Sequence, residues 1–138
     1  MSFVEAIGAK VAPFSQAVLR IVSGAVFMSY GLIKVAGIPA SGQPGAQPLF
    51  SLLWIGGVIE LTTGVLLVAG LFTRPAAFVA SGQMAVAYWL FHAPSSFYPA
   101  VNGGAAAILF CFLFLHIAAA GPGAFSLDGL MARRASQS

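Results

Sequence analysis

Glu60 is the one charged residue of the apolar stretch Leu49–Phe72, and it stands near its middle. A charge held at the centre of a bilayer costs on the order of 3 kcal/mol, so it faces protein or water and takes a partner. Two candidate partners stand at suitable depths. At about 1.5 Å of rise per residue, Gln83 lies level with Glu60 in a later stretch, and Lys34 starts about 12 Å toward one end. Side chains lean toward the N-terminus of their helix. On two antiparallel helices Lys34 and Glu60 therefore lean toward each other, whereas Arg20 leans away. The carboxyl, ammonium and amide groups have the chemistry to fasten helices, to pass a proton, or to hold the polar end of an apolar ligand.

Tyr30, Lys34, Trp54, Tyr88 and Asn102 share one half of the chain's apolar stretches with Glu60 and Gln83 bordering them. Two arrangements fit. One is an aromatic belt at a membrane–water interface; the other is a pocket in which an apolar ligand such as a quinone or lipid meets a few polar groups. His92 and His116 fall at opposite ends of their stretches, separated by most of a bilayer, so they cannot share an ion. Neither has His or Cys neighbours at ligand spacing, and no metal site is expected. His92 is expected at an interface and His116 as a buried structural residue. The single cysteine, Cys111, excludes an internal disulfide or a CxxC redox pair. Without paired carboxylates, a Ser-His-Asp set or a phosphate loop, catalysis by the chain alone is not expected.

The elements that must carry these residues are long and apolar. Hydrophobic residues make up 59% of the 138-residue chain and charged residues 7%, too few charges to cover a water-facing surface. The pattern predicts an all-α, polytopic membrane protein: one domain over 1–138, an antiparallel bundle of four transmembrane helices at about 16–36, 49–72, 75–92 and 101–120. Ser15 is the expected cap of the first, after Pro13. Phe3, Ile7 and Val11 repeat on one face, which predicts a short surface helix over 2–12; with Glu5 in place of a basic segment, it does not read as a secretory signal. The join Thr73-Arg74-Pro75 makes a tight hairpin, and Gly121-Pro122-Gly123 closes the last helix before a polar tail in which Asp128 suits a cap. Gly24 and Gly31, Gly57 and Gly64, and the small residues Ala76, Ala77, Ala80, Ser81 and Ala85 form seams for close helix packing or for a homo-oligomer.

Four spans place Lys10, Arg20, Arg74, Arg133 and Arg134 on one side and Lys34 alone on the other. This bias predicts both termini in the cytoplasm. The net charge of +3 is spread rather than clustered, apart from Arg133-Arg134, which argues against nucleic-acid binding.

Leu19-Arg20, Gly24, Phe27, Gly31 and Lys34, then Glu60 and Gly64 with Gly70-Leu71-Phe72-Thr73-Arg74, then Asn102-Gly103-Gly104 and Gly121-Pro122-Gly123 with Ser126-Leu127-Asp128 together resemble the DoxX family of small four-helix membrane proteins, over roughly residues 16–130. The resemblance implies a multi-pass bundle in the inner (plasma) membrane of a bacterium. Some relatives are linked to quinone-coupled sulfur oxidation, others to membrane complexes that handle redox stress. The family often carries an acid just after Asn-Gly-Gly; Ala105 stands there, so any role of that acid is absent or moved.

Three functions remain open on the residues. The first is a non-catalytic subunit or hydrophobic-ligand bundle, binding quinone or lipid at Glu60, Lys34, Tyr30, Trp54, Gln83, Tyr88 and Asn102 in support of a membrane redox system, with redox-protein partners. The second is a structural or assembly protein. The third is a small transporter using Glu60 for protons, against which stands the lack of an inverted repeat or broken helix.

Overall fold

Ser2 and Glu5 decide where the first helix starts. In the computed structural model, which describes all residues from Met1 to Ser138, α1 runs unbroken over Phe3–Ala36. Glu5 donates its backbone N–H to Ser2 Oγ at 3.3 Å, and Ser2 donates its own to Glu5 Oε2 at 2.6 Å, a reciprocal cap that satisfies two of the free donors at a helix start. The sequence expectation of a separate helix over 2–12 and a new start at Ser15 is thus corrected: Pro13 lies inside α1. A proline there forfeits one backbone bond, and the exposed surroundings of Pro13 leave that carbonyl open to water or headgroups.

The remaining elements are also helical, and there are no strands. Ser51 caps α2 (Leu52–Ala69) by accepting from the Trp54 N–H at 3.2 Å, so α2 is shorter at both ends than the apolar run. Gly70 ends it at φ 69°, a left-handed conformation that glycine adopts without a Cβ penalty. Here the space is closed as well: a Cβ on Gly70 would stand 2.5 Å from Ser126 Cβ. Helix α3 (Thr73–Ala87) follows at once and passes into a π-helical turn, Tyr88–His92. The expected fourth span is divided. A one-turn helix, α4 (Pro99–Asn102), stops at Gly103, and α5 begins anew as Ala105–Ala120. The tail folds into α6 (Leu127–Ala135), capped by Ser126. By length and composition, α1 and α2 are the two helices able to cross a membrane.

Two antiparallel pairs build the core. Helices α1 and α2 meet backbone to backbone along the glycine seam. A Cβ on Gly31 would press within 2.6 Å of the Gly57 carbonyl and collide with the Leu61 backbone, and one on Gly64 would lie 2.8 Å from the Met28 backbone. Helices α3 and α5 close over Ala76, Ala77, Ala80 and Met84 on one side and Ala107, Phe114 and Ile117 on the other. Ser81 adds a hydrogen bond to the Cys111 carbonyl at 2.7 Å. The small-residue stripes are therefore spent within the chain. Phe27 of α1 links the pairs through an edge-on contact with Phe114, centroids 4.8 Å apart.

One end of the molecule is knotted by charged side chains that satisfy helix termini. Arg20 is fully buried. Its Nε donates to Pro122 O at 2.7 Å, one terminal nitrogen to Leu67 O and Val68 O at 2.6 and 3.0 Å, and the other to Ala124 O and Phe125 O at 3.0 and 2.9 Å. It thereby ties the carbonyl end of α2 to the Gly121–Ser126 turn. Arg74 donates to the last carbonyls of α5, at Ala118 and Ala119. Asp128 caps α3 from outside, accepting from the Phe72 and Thr73 N–H groups at 2.9 Å each. Burial raises the Asp128 pKa, but the hydrogen bonds from Thr73 and Phe72 and the Arg20 charge outweigh it and hold the carboxyl below its ordinary value. Phe72 sits at φ 48°, a strained conformation for a residue with a side chain, and the Asp128 bond helps to hold it.

Candidate functional site

At the other end of α1, Lys34 Nζ donates to Glu60 Oε1 at 2.5 Å. Gln83 of α3 donates from Nε2 to the same oxygen at 3.0 Å and to the Gly56 carbonyl at 3.0 Å. Three helices are joined at one carboxylate oxygen. Glu60 is 1% exposed and the Lys34 side chain 16% exposed, with its ammonium turned in to the carboxylate. The two candidate partners read from the sequence are both engaged, because depth along each helix and the lean of its side chains follow from backbone geometry alone.

The cluster is not fully satisfied. Glu60 Oε2 and Gln83 Oε1 are buried and have no hydrogen-bond partner. The amide orientation is fixed by its neighbours: both Nε2 protons go to oxygens, so the free atom of Gln83 is an acceptor. Thr73 Oγ1 is the third such atom, at the knotted end.

A half-open cleft of about 670 Å³ runs beside the cluster, within the ~300–1,000 Å³ of ordinary small-molecule sites. Phe27, Tyr30, Leu53, Ile59, Val79, Met84 and Phe110 give it apolar walls. Lys34, Glu60, Gln83 and His92 supply the polar groups.

Four of the expected ligand residues therefore line this cleft: Tyr30, Lys34, Glu60 and Gln83. Trp54, Tyr88 and Asn102 do not, which corrects the expected grouping. Trp54 lies on the first turn of α2 against Phe50, with centroids 5.3 Å apart. Tyr88 is buried on the α5 side and donates its hydroxyl to Phe97 O at 3.0 Å. Asn102 braces the α4–α5 break, accepting from Gly104 N–H at 2.7 Å and donating to Ser96 O at 2.8 Å and to the Tyr88 hydroxyl at 3.2 Å. Each stands at the expected depth but on another face of its helix.

The histidines also depart from expectation. His92 enters the cleft wall, placed there by the π-helical turn, which shifts the side chains after Ala87 around the helix. Its Nδ1 lies 3.1 Å from the Asn102 carbonyl. A carbonyl can only accept, so Nδ1 is the donor in this contact. His116, expected buried, is exposed on α5. The sequence does not reveal the burial of Arg20, because its partners are carbonyls at the end of α2 and in a turn about a hundred positions later. The one sequence signal was a lone arginine level with the Gly-rich ends of α2 and α5.

An all-helical chain with two helices fit to cross a membrane, and with an ion pair enclosed between three helices, is a small helical membrane protein. More particularly, it belongs to the DoxX family, whose profile matches residues 15–93. That match takes in α1 from its cap-free middle through the π-helical turn, and so Lys34, Glu60, Gln83 and His92. The chain is also 40% identical over 123 residues to an uncharacterised protein of Haemophilus influenzae (strain ATCC 51907 / DSM 11121 / KW20 / Rd), covering 86% of this chain and 92% of that protein. No solved structure matches it.

Proposed function

We propose that this protein is a four-span, non-catalytic bundle of the inner membrane of a bacterium, with both termini in the cytoplasm. Its cleft binds a hydrophobic ligand of quinone or lipid type in support of a membrane redox system. The observation that carries the ligand reading is the cleft itself: about 670 Å³ with apolar walls that converge on the Lys34–Glu60–Gln83 cluster. A quinone fits the donor set, since Lys34 has spent one of its three protons on Glu60 and has the others for a carbonyl. The topology rests on the charges. Arg74 and the Arg133-Arg134 tail gather near the Arg20 knot, α1 carries Lys10 beyond it, and Lys34 lies at the opposite end. At roughly 1.5 Å per residue α1 is about 50 Å long, far longer than the ~30 Å hydrocarbon core, so its Phe3–Val11 end reaches the headgroups or beyond.

Mass spectrometry of organic extracts from the purified protein tests the ligand reading. A quinone or single lipid species should co-purify in near-stoichiometric amount and be lost from a variant with Val79→Trp, which fills the cleft. Only bulk lipid, unchanged in that variant, would overturn it. For topology, reporter fusions at Ser138 should give a cytoplasmic signal and insertions at Gly42 a periplasmic one.

A second reading, a purely structural bundle, draws on Glu60 joining three helices. It predicts that filling the cleft raises stability and changes nothing else.

A further inference from the structure

We propose that α6 lies on the headgroup surface at the Arg20 end of the bundle and binds anionic phospholipid there. The inference rests on the reading of the chain as a membrane-spanning bundle and is independent of the cleft and its ligand. Helix α6 has nine residues, none of them buried. Helices shorter than about 12 residues are marginal in water by themselves, so α6 needs a cover that its own chain does not supply. Leu127, Leu130 and Met131 recur at helical spacing and are exposed. Phe125, just ahead of the cap, and Phe14 of α1 continue this apolar patch; their ring centroids are 5.7 Å apart and both rings are exposed.

The depth of the patch is fixed by the backbone. Asp128 donates its N–H to the Gly70 carbonyl at 2.9 Å, and Ala124 donates its own to the Pro13 carbonyl at 2.9 Å. Helix α6 therefore starts level with the end of α2 and the first turn of α3, where a bilayer passes from hydrocarbon to headgroups. The charges then select the lipid. Arg133 and Arg134 follow Leu130 and Met131 by one helical turn and are exposed, and the protein leaves no acid for them. Of its three acids, Glu60 is bound to Lys34 inside the bundle, Glu5 to the Ser2 N–H, and Asp128 to the start of α3. The one ion pair of the chain is Lys34–Glu60. An arginine stem can lie along apolar surface while its head stays in the polar layer, and the guanidinium fork matches the oxygens of a phosphate. An apolar stripe that ends in unpaired arginines fits an anionic leaflet rather than a neutral one.

The test places an environment-sensitive NBD label on Met131→Cys, in a Cys111→Ala background of the full chain. Emission is read in nanodiscs that hold one copy each, made of phosphatidylcholine alone or of equal parts phosphatidylcholine and phosphatidylglycerol. The free cysteine adduct in buffer marks full exposure. Two arginines at an anionic surface favour the bound helix by roughly thirtyfold. Emission should therefore be several-fold higher, and shifted to the blue, in the anionic discs. Arg133→Gln combined with Arg134→Gln, both on the surface and outside the packed core, should return it to the level in phosphatidylcholine. Emission as low as the free adduct in both discs would show α6 standing in water and would overturn the inference. High emission in both discs, unchanged by the arginine substitutions, would show apolar cover without lipid selection and would overturn it as well. A rise seen only in discs loaded with two copies would make the cover a second copy of this chain, again overturning it. A chain that did not stay in either disc would overturn the membrane-spanning reading, and this inference with it.

Discussion

Arg20→Met should be among the most damaging single substitutions in this protein. The guanidinium is fully buried and donates five hydrogen bonds to backbone carbonyls of α2 and of the Gly121–Ser126 turn. A hydrogen bond to a charged group contributes about 1.5–3 kcal/mol. Five on one side chain share a single desolvation cost and do not add. Removing one partner from a buried charged cluster costs about 3–5 kcal/mol, and that range applies here because methionine matches the volume but leaves the carbonyls without donors. At roughly 4 °C per kcal/mol for a chain of this size, the melting temperature in detergent should fall by about 12–20 °C. Arg20→Lys keeps the charge but has no planar fork, so one nitrogen must serve carbonyls lying in several directions. About half the loss is expected for it. Cys111 is the sole cysteine and is half-buried on α5, so a thiol-reactive dye reports unfolding directly. A melting temperature for Arg20→Met within about 3 °C of wild type would refute the reasoning, because the five carbonyls would then have other partners.

Three further outcomes are expected. Glu60→Leu removes the acceptor shared by Lys34 and Gln83 and should lower the melting temperature at least twice as far as Glu60→Gln, which keeps an amide oxygen in place; equal and negligible losses would show the three-helix link to be without energetic weight. Gly31→Ala should cost about 1–3 kcal/mol, since its Cβ meets the backbone of α2, while Gly82→Ala, with open space around it, serves as the control that should leave stability unchanged. Asp128→Asn removes a carboxyl whose pKa is lowered in the folded state, so the stability it contributes is present above the unfolded value of about 3.9 and is lost as pH falls through the lower folded value. The gap in melting temperature between wild type and Asp128→Asn should accordingly be constant above about pH 5 and close below about pH 4; a gap independent of pH would show that the Asp128 charge does not hold the start of α3.

Much of this architecture is legible in the sequence because it depends on distance along the chain. The number of long apolar segments, the stop at Gly121 and the glycine seams of α1 and α2 follow from composition and local backbone chemistry; the short join between α2 and α3 does too, although it falls at Gly70–Phe72 and Thr73-Arg74-Pro75 already belong to α3. So does the link among Lys34, Glu60 and Gln83: rise per residue fixes how deep each side chain starts, and its lean is built into the helix. Where the sequence reading failed, the missing quantity was rotation about a helix axis or a partner far away in the chain. Successive residues on a helix point about 100° apart, so Trp54, Tyr88 and Asn102 reach the expected depth yet face away from the cleft, and five residues of π-helix bring His92 into it. Pro13 could be kept inside α1 because Ser2 and Glu5 start the helix ahead of it. Arg20 reads as an ordinary charge near a membrane surface until the Gly121–Ser126 turn folds back against α2. Only then do carbonyls from two distant segments converge on one guanidinium, and only the tertiary structure brings them there.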